Sequence, residues 1–457
     1  MSCLPFSRAQ SSETSLGPLD KKQLFMRFVH PVLSLILISL FPFSAESSYQ
    51  TFEIDIEELQ EISPRPGTRI TDKNFTSYSH LIDPDLGVFI ANKFFSFTVG
   101  EPISFRPHPA FILASRRTAG ATQLGPNEGI LLNFREGLPF SLEPNSFGLE
   151  AGRKLAWNMR YAYLGDSGKI PEMFWELKDW RSQKVEFEME FQARLMRFMY
   201  RHVLEPVPAF EKNTQDAFGA AFLTAINAGS YDRTQALIFA NRDESKQPNG
   251  WVYIPQLERT QSLASFREEE SMFGSDILAT DFLTYTGSLL DMDWKYKGST
   301  FTLLPLYRHD RIQSSDKKAR KYDYWHVDFE GRSSCFPKVN WQIRRAYILE
   351  GTAKEPKDKV QKRIFYLDTQ TFTPALWKIY NKSGKLWKFL INSYAHPNSH
   401  LMENNETGAP ISTAFSTIDT LTNRCTTIQL LTLVNPPDVE QKDFDPSRMR
   451  IGGRRFR

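Results

Sequence analysis

Val185-Glu186-Phe187-Glu188-Met189-Glu190-Phe191-Gln192 alternates apolar and polar side chains without a break. A period of two puts Val185, Phe187, Met189 and Phe191 on one face of a β-strand and the acidic side chains on the other, so one face is wet and the other is made to be covered. Similar short segments recur at Gln235 to Ala240, Gly250 to Ile254, Thr300 to Leu306, Asn340 to Glu350, Lys362 to Asp368, Ala375 to Asn381, Leu386 to Ser393 and Thr426 to Leu433. Asn381-Lys382-Ser383-Gly384 and Asn227-Ala228-Gly229-Ser230 supply turn chemistry between such segments. The pattern predicts a mainly β fold, a long antiparallel meander with accessory helices. Helical signal is thinner. Asp55 to Ile62 and Asp276 to Tyr285 each predict a few turns, the second opening after Ser275, a good N-cap residue. Pro107-His108-Pro109 and Thr118 to Gly129 read as loops, and Gln313 to Lys321 as a charged connector.

The segment from Met26 to Ser48 has a basic start, an apolar run and then small residues, the layout of a secretory signal peptide. The apolar run falls short of the roughly 20 residues that a membrane helix needs. A signal cleaved after Ser47 and a start at Met26 are therefore expected, with the mature protein in the periplasm or peripheral to the outer membrane. The expected organisation is a leader over 1–47, a loop and helix region over 48–128, a sheet domain over 129–396, and a C-terminal extension over 397–457 with a last strand and a basic tail.

With 56 basic against 53 acidic residues, the chain offers no case for nucleic acid as a partner. The basic end from Arg448 to Arg457 reads first as a solvated tail and second as a contact for anionic lipid headgroups. Cys335 and Cys425 remain once the leader with Cys3 is lost. In an oxidising compartment they either close a long loop as a disulfide, worth up to about 4 kcal/mol, or stay as two buried thiols. Phenylalanine stands out, with 36 Phe beside 16 Tyr and 9 Trp. At about 1.5–3 kcal/mol for each fully buried ring, these can fill a core, and they can equally wall a cavity for an apolar ligand.

Several segments in order carry a resemblance. They are Gly137-Leu138-Pro139-Phe140, Ala151 to Asn158, Tyr161 to Asp166, Gly250 to Pro255, Phe273-Gly274-Ser275-Asp276 with Asp281-Phe282, Arg363 to Asp368, and Gly384 to Lys388. Together they make the chain resemble the bacterial family known as domain of unknown function 1329. That family is similar in fold to the periplasmic lipoprotein carriers, and its members often bear the label outer membrane lipoprotein-sorting protein. The resemblance implies a strongly curved antiparallel sheet, an incomplete barrel, with helices packed on its concave side as a lid. It also implies a shuttle role near hydrophobe-exporting envelope transporters.

Enzyme signatures are absent: there is no Gly-x-Ser-x-Gly elbow, P-loop, dinucleotide fingerprint or His-Glu-x-x-His. His396 and His400 are spaced as metal ligands on a helix would be, but Pro397 intervenes. No catalytic residue, cofactor or metal is expected. The leading expectation is a non-enzymatic carrier of a lipid, another hydrophobic molecule or a lipoprotein acyl group toward the outer membrane. Its ligand-cavity candidates are Trp251, Tyr253, Phe282, Phe365 and Trp387. The alternative is a scaffold or accessory subunit that binds a transporter or outer-membrane protein and holds no ligand. Trp251, Tyr253 and Pro255 also fit plain core packing, and Ser275 or Asp276 fits backbone capping.

Overall fold

In a computed structural model the described residues are 59, 62–141, 147–246, 248–262, 270–307, 327–355 and 359–449. The expected leader, most of Asp55 to Ile62, the connector Gln313 to Lys321 and residues 450–457 of the basic tail lie outside them. The main sheet is built from β1 (Ser167–Asp179), β2 (Val185–Arg197), β3 (Ala217–Asn227), β4 (Gln235–Asn241), β5 (Asn249–Ile254), β6 (Arg259–Ser262), β7 (Met292–Leu304), β8 (Leu306–Tyr307), β9 (Gln342–Ala353), β10 (Val360–Asp368), β11 (Pro374–Asn381), β12 (Leu386–Ala395), β13 (Ile411–Asp419) and β14 (Arg424–Val434). Their spatial order is β6-β5-β4-β3-β2-β1-β14-β13-β12-β11-β10-β9-β7, with β8 lying parallel to β12. Every other pairing is antiparallel.

The chain thus enters at the middle and meanders out to the β6 edge. It then crosses to the far edge at β7 and meanders back until β14 closes against β1. The edges β6 and β7 do not pair, so the barrel is incomplete. The stretch set apart as a C-terminal extension, 397–457, contributes β13 and β14 to the sheet's centre. β13 carries no period-two signal. Every residue of it but Ser412 is buried, because both faces of the sheet are covered there. A strand covered on both sides has no wet face to mark with polar side chains, so its alternation is lost.

Three described helices flank the sheet: α1 (Pro84–Ala91), α2 (Pro109–Thr118) and α3 (Leu149–Arg160). Phe111 and Ile112 of α2 and Leu155, Ala156 and Trp157 of α3 join one large core with Trp175, Phe191, Phe365, Trp377 and Ile428. The loop read at Pro107-His108-Pro109 ends as the start of α2, where the His108 ring accepts the Ala110 N–H and Pro109 takes the first turn. Gly152 lets α3 lie directly on β7, since a Cβ there would sit 2.4 Å from the Trp294 carbonyl oxygen.

The opposite face carries a second core. Leu86, Phe89 and Ile90 of α1 pack with Phe336, Tyr366, Phe389, Ile391 and Ile418. Asp83 caps α1 by accepting the Asp85 and Leu86 N–H groups, and it also accepts a hydrogen bond from the Tyr366 hydroxyl at 2.7 Å and pairs with Lys378 at 2.7 Å. In this second core Cys335 and Cys425 are joined as a disulfide across 90 positions of sequence. Replacing both cysteines by alanine is expected to lower unfolding free energy by about 2–5 kcal/mol, read from urea titrations of the oxidised wild type and the variant.

Candidate functional site

The connection from β6 to β7 must span the whole sheet, and residues 270–291 do so as a strap laid over the α3 face. Asp276 to Tyr285, expected as a helix, forms only a short turn at Ala279–Asp281. The backbone is otherwise used for bridging. The Asp276 N–H donates to the Thr426 hydroxyl at 2.9 Å, and that hydroxyl donates back to the Asp276 carboxylate at 3.0 Å. The Leu283 carbonyl accepts from the Asn392 side chain at 2.8 Å. Ser275 does take a capping part, its hydroxyl accepting the Ile277 N–H. Burial pushes the Asp276 carboxyl upward from its ordinary range, against the pull of Lys388 and Arg424.

The strap's strongest anchor is Asp281. Its carboxylate is fully buried and accepts from the Arg363 guanidinium at 2.7 and 3.1 Å, from the Trp377 indole at 3.2 Å and from the Thr280 hydroxyl at 2.7 Å. The guanidinium also lies 5.0 Å from the Tyr285 ring centre. Ring contacts complete the seat: Phe282 on Trp175 at 5.6 Å and Phe273 on Phe191 at 4.8 Å. Below the strap Trp294, Phe365 and Trp377 are sealed from solvent, and a void beside Trp157, Leu289 and Trp294 measures about 10 Å³, room for no more than a water.

The five ligand-cavity candidates are not brought to one place. Phe282 sits in the strap. Phe365 in β10 is inaccessible to solvent, enclosed by Trp294, Tyr285 and Trp377. Half-buried Trp387 in β12 packs at the margin of the same core and donates its indole N–H to Asp419 at 2.9 Å. Trp251 and Tyr253 are on the other face of the sheet, where they pack against Phe198, Phe239 and Phe444, with Trp251 edge-on to Phe239 at 5.7 Å. An open pocket of about 450 Å³ adjoins that cluster, between Phe198, Phe239, Phe444, Lys212 and Lys442.

None of these five residues marks the apolar surface left open on the strap face. Where β2 to β5 approach the β6 edge, Leu195, Ala221 and Ile238 stand in one cross-strand row, and Ala236 and Val252 in the next. Ile254 continues this face along β5. Leu195 is 37% exposed and the other five are half-buried, although their strand neighbours Phe222, Leu237 and Phe239 on the opposite face are fully buried. On the same face, Phe273 of the strap meets Tyr231 edge-on at 5.3 Å. The alternation Ala236-Leu237-Ile238-Phe239 announces a strand but is apolar on both faces, so sequence alone cannot say which face stays open.

The family model described as "Protein of unknown function (DUF1329)" matches residues 69–450. The chain belongs to this family. Among solved structures it is similar to a DUF1329 family protein from Desulfovibrio piger, with 15% identity, a TM-score of 0.44, and 66% of this chain and 98% of that one covered. It is also similar to a domain carrying the name outer membrane lipoprotein-sorting protein from Vibrio parahaemolyticus, with 13% identity, a TM-score of 0.43, and 66% and 99% covered. A LolA superfamily protein from Nitrosomonas europaea follows at 12% identity and a TM-score of 0.36, with 66% and 98% covered. No protein of curated function matches the chain.

In this family member the carboxylates of the motif segments serve as structural anchors. Asp368 accepts from Arg344 at 2.9 Å with both side chains fully buried, and from the Gln370 and Thr371 N–H groups. Asp166, closing Tyr161 to Asp166, accepts the N–H groups of His202, Val203 and Leu204. The His202 Nε2 accepts the Gly137 N–H at 2.8 Å, which leaves the proton of the neutral ring on Nδ1, 3.6 Å from Asp166. Burial, helped by Arg197, lowers the His202 pKa against the opposite pull of Asp166 and Glu136. Burial works against ionisation of Asp166, but the nearby His202 ring and the backbone N–H groups of His202, Val203 and Leu204 outweigh it and hold the carboxyl well below its usual range.

Because the folded-state pKa of Asp166 is depressed, its stabilisation is complete above the unfolded value of about 4 and is lost as pH falls below it. Asp166→Asn should be less stable than wild type at pH 7 and should show a smaller drop in urea midpoint between pH 7 and pH 3. Asp281→Ala should cost about 3–5 kcal/mol by leaving Arg363 buried and unpaired, whereas Asp281→Leu with Arg363→Met should recover most of that loss in the same urea titration.

Proposed function

We propose that this protein is a non-enzymatic periplasmic binder of a lipid or similar hydrophobic molecule, carrying it toward the outer membrane. The observation that carries the reading is the half-exposed strip of Leu195, Ala221, Ala236, Ile238, Val252 and Ile254 beside the strap. An acyl chain laid along it gains about 0.8 kcal/mol for each CH₂ removed from water, so a modest length of chain is enough for useful affinity. The periplasmic setting is supported by the signal-like Met26 to Ser48 segment and by the disulfide, which persists in oxidising compartments. On this reading the cargo lies on the strap face at the open edge. Of the five expected lining residues, Phe282, Phe365 and Trp387 belong to the packed core of that face rather than to the strip, and Trp251 and Tyr253 back its strands from the other side.

A second reading, a scaffold for an envelope transporter or outer-membrane protein, is favoured by the tight packing of Trp294, Phe365 and Trp377 under the strap. Mass spectrometry of an organic extract from protein purified out of the periplasm without detergent separates the two. A near-stoichiometric lipid is expected for the carrier, and an empty extract with a stoichiometric protein partner would establish the scaffold. Ile238→Asp should reduce acyl-chain binding at least about tenfold while circular dichroism is retained, because a carboxylate in the strip must be desolvated. Trp251→Ala should lose about 2 kcal/mol of stability and leave binding unchanged, as its half-buried ring backs the opposite face.

A further inference from the structure

Resting on that reading, we propose that the cargo carries an anionic head and that Arg259 at the β6 edge is its charge partner. The register places it. Arg259 pairs with Ile254 and Gln261 with Val252 across β5 and β6, and directly opposed residues of an antiparallel pair share a face. Val252 in turn opposes Ala236, which packs on the strap-face core, so Arg259 and Gln261 stand on the same face as the apolar strip and at its outer end. Arg259 is exposed, and among the described residues no carboxylate comes within ion-pair range of it. Its guanidinium is aimed by its neighbour: the Gln261 amide, turned to suit its surroundings, accepts from Nε and Nη2 at 2.8 Å each. That leaves Nη1 free for a ligand.

An apolar track ending at an oriented, unneutralised guanidinium matches a molecule with the reverse layout, a hydrocarbon chain ending in a carboxylate or phosphate. Arginine meets both groups with paired hydrogen bonds. The competing account of Arg259 is protection of a short edge strand against pairing with another chain, a common use of charge at sheet edges. That account predicts no preference among ligands.

Three probes of equal chain length separate these accounts: dodecanoate, dodecyl phosphate and uncharged monolaurin, titrated calorimetrically into the mature protein below their micellar concentrations. Wild type should bind at least one anionic probe about tenfold more tightly than monolaurin, and the preference should shrink as salt is raised. Arg259→Gln should abolish the preference and leave monolaurin binding unchanged, while Arg259→Lys should retain part of it. Stronger binding of dodecanoate would point to a free carboxylate cargo and stronger binding of dodecyl phosphate to a phosphate head, each supporting the assignment. Monolaurin bound as tightly as the anions, or an equal loss for all three probes in Arg259→Gln, would overturn the charge assignment and leave the carrier reading standing. Failure of all three to bind folded wild type would overturn the carrier reading itself.

Discussion

The buried Asp281–Arg363 pair is the constraint on which the remaining architecture depends. Two charges withdrawn from water are costly, and the cost is offset only when every donor and acceptor finds a partner. Here Trp377, Thr280 and the Tyr285 ring supply those partners, and Trp377 and Arg363 come from strands on one half of the sheet. The pair therefore fixes where the strap lies. Phe282 on Trp175 and Phe273 on Phe191 then tie the same strap to the other half. A connection that would otherwise be a long loop becomes the element that joins two meanders into one core.

Fixing the strap also determines what is covered and what is left open. It closes the sheet's middle, where Phe365 and Trp377 are sealed, and it leaves the strands nearest the β6 edge with an apolar face only half-covered. The same sheet is covered on its reverse by α1 and the disulfide-linked segment over β9 to β14, and by Phe444 and its neighbours over β3 to β5. The open strip is thus backed by packed strands, a rigid support for a ligand that contributes little directional bonding of its own.

Against this background the motif aspartates make physical sense as anchors. Asp166, Asp281 and Asp368 each gather several N–H donors or an arginine at a point where a loop meets the sheet. A buried carboxylate is costly to misplace, so it fixes register and loop path more sharply than an apolar contact of similar size. None of the three faces the half-open strip, so recognition there rests on hydrocarbon contact and on whatever polar groups stand at its rim.

The sequence by itself determined the β class, the positions of most strands and the turn at Asn381 to Gly384, because period-two alternation and turn chemistry are local properties of the chain. Val185 to Gln192 is legible for that reason: its two faces meet different solvents. β13 is not, because a strand covered on both sides loses its alternation, and Asp276 to Tyr285 has a helical pattern without forming a helix because its polar groups bond to Thr426, Asn392 and Arg363 rather than to its own backbone. Trp251 and Phe365 could be named as large apolar residues on strands, yet which face each occupies follows from cross-strand register, a relation between segments far apart in the chain. Only the tertiary structure could separate Ile238 from Phe239, adjacent residues of like character, into an open surface and a closed one. What covers a face is contributed by residues remote in sequence, and no local pattern encodes it.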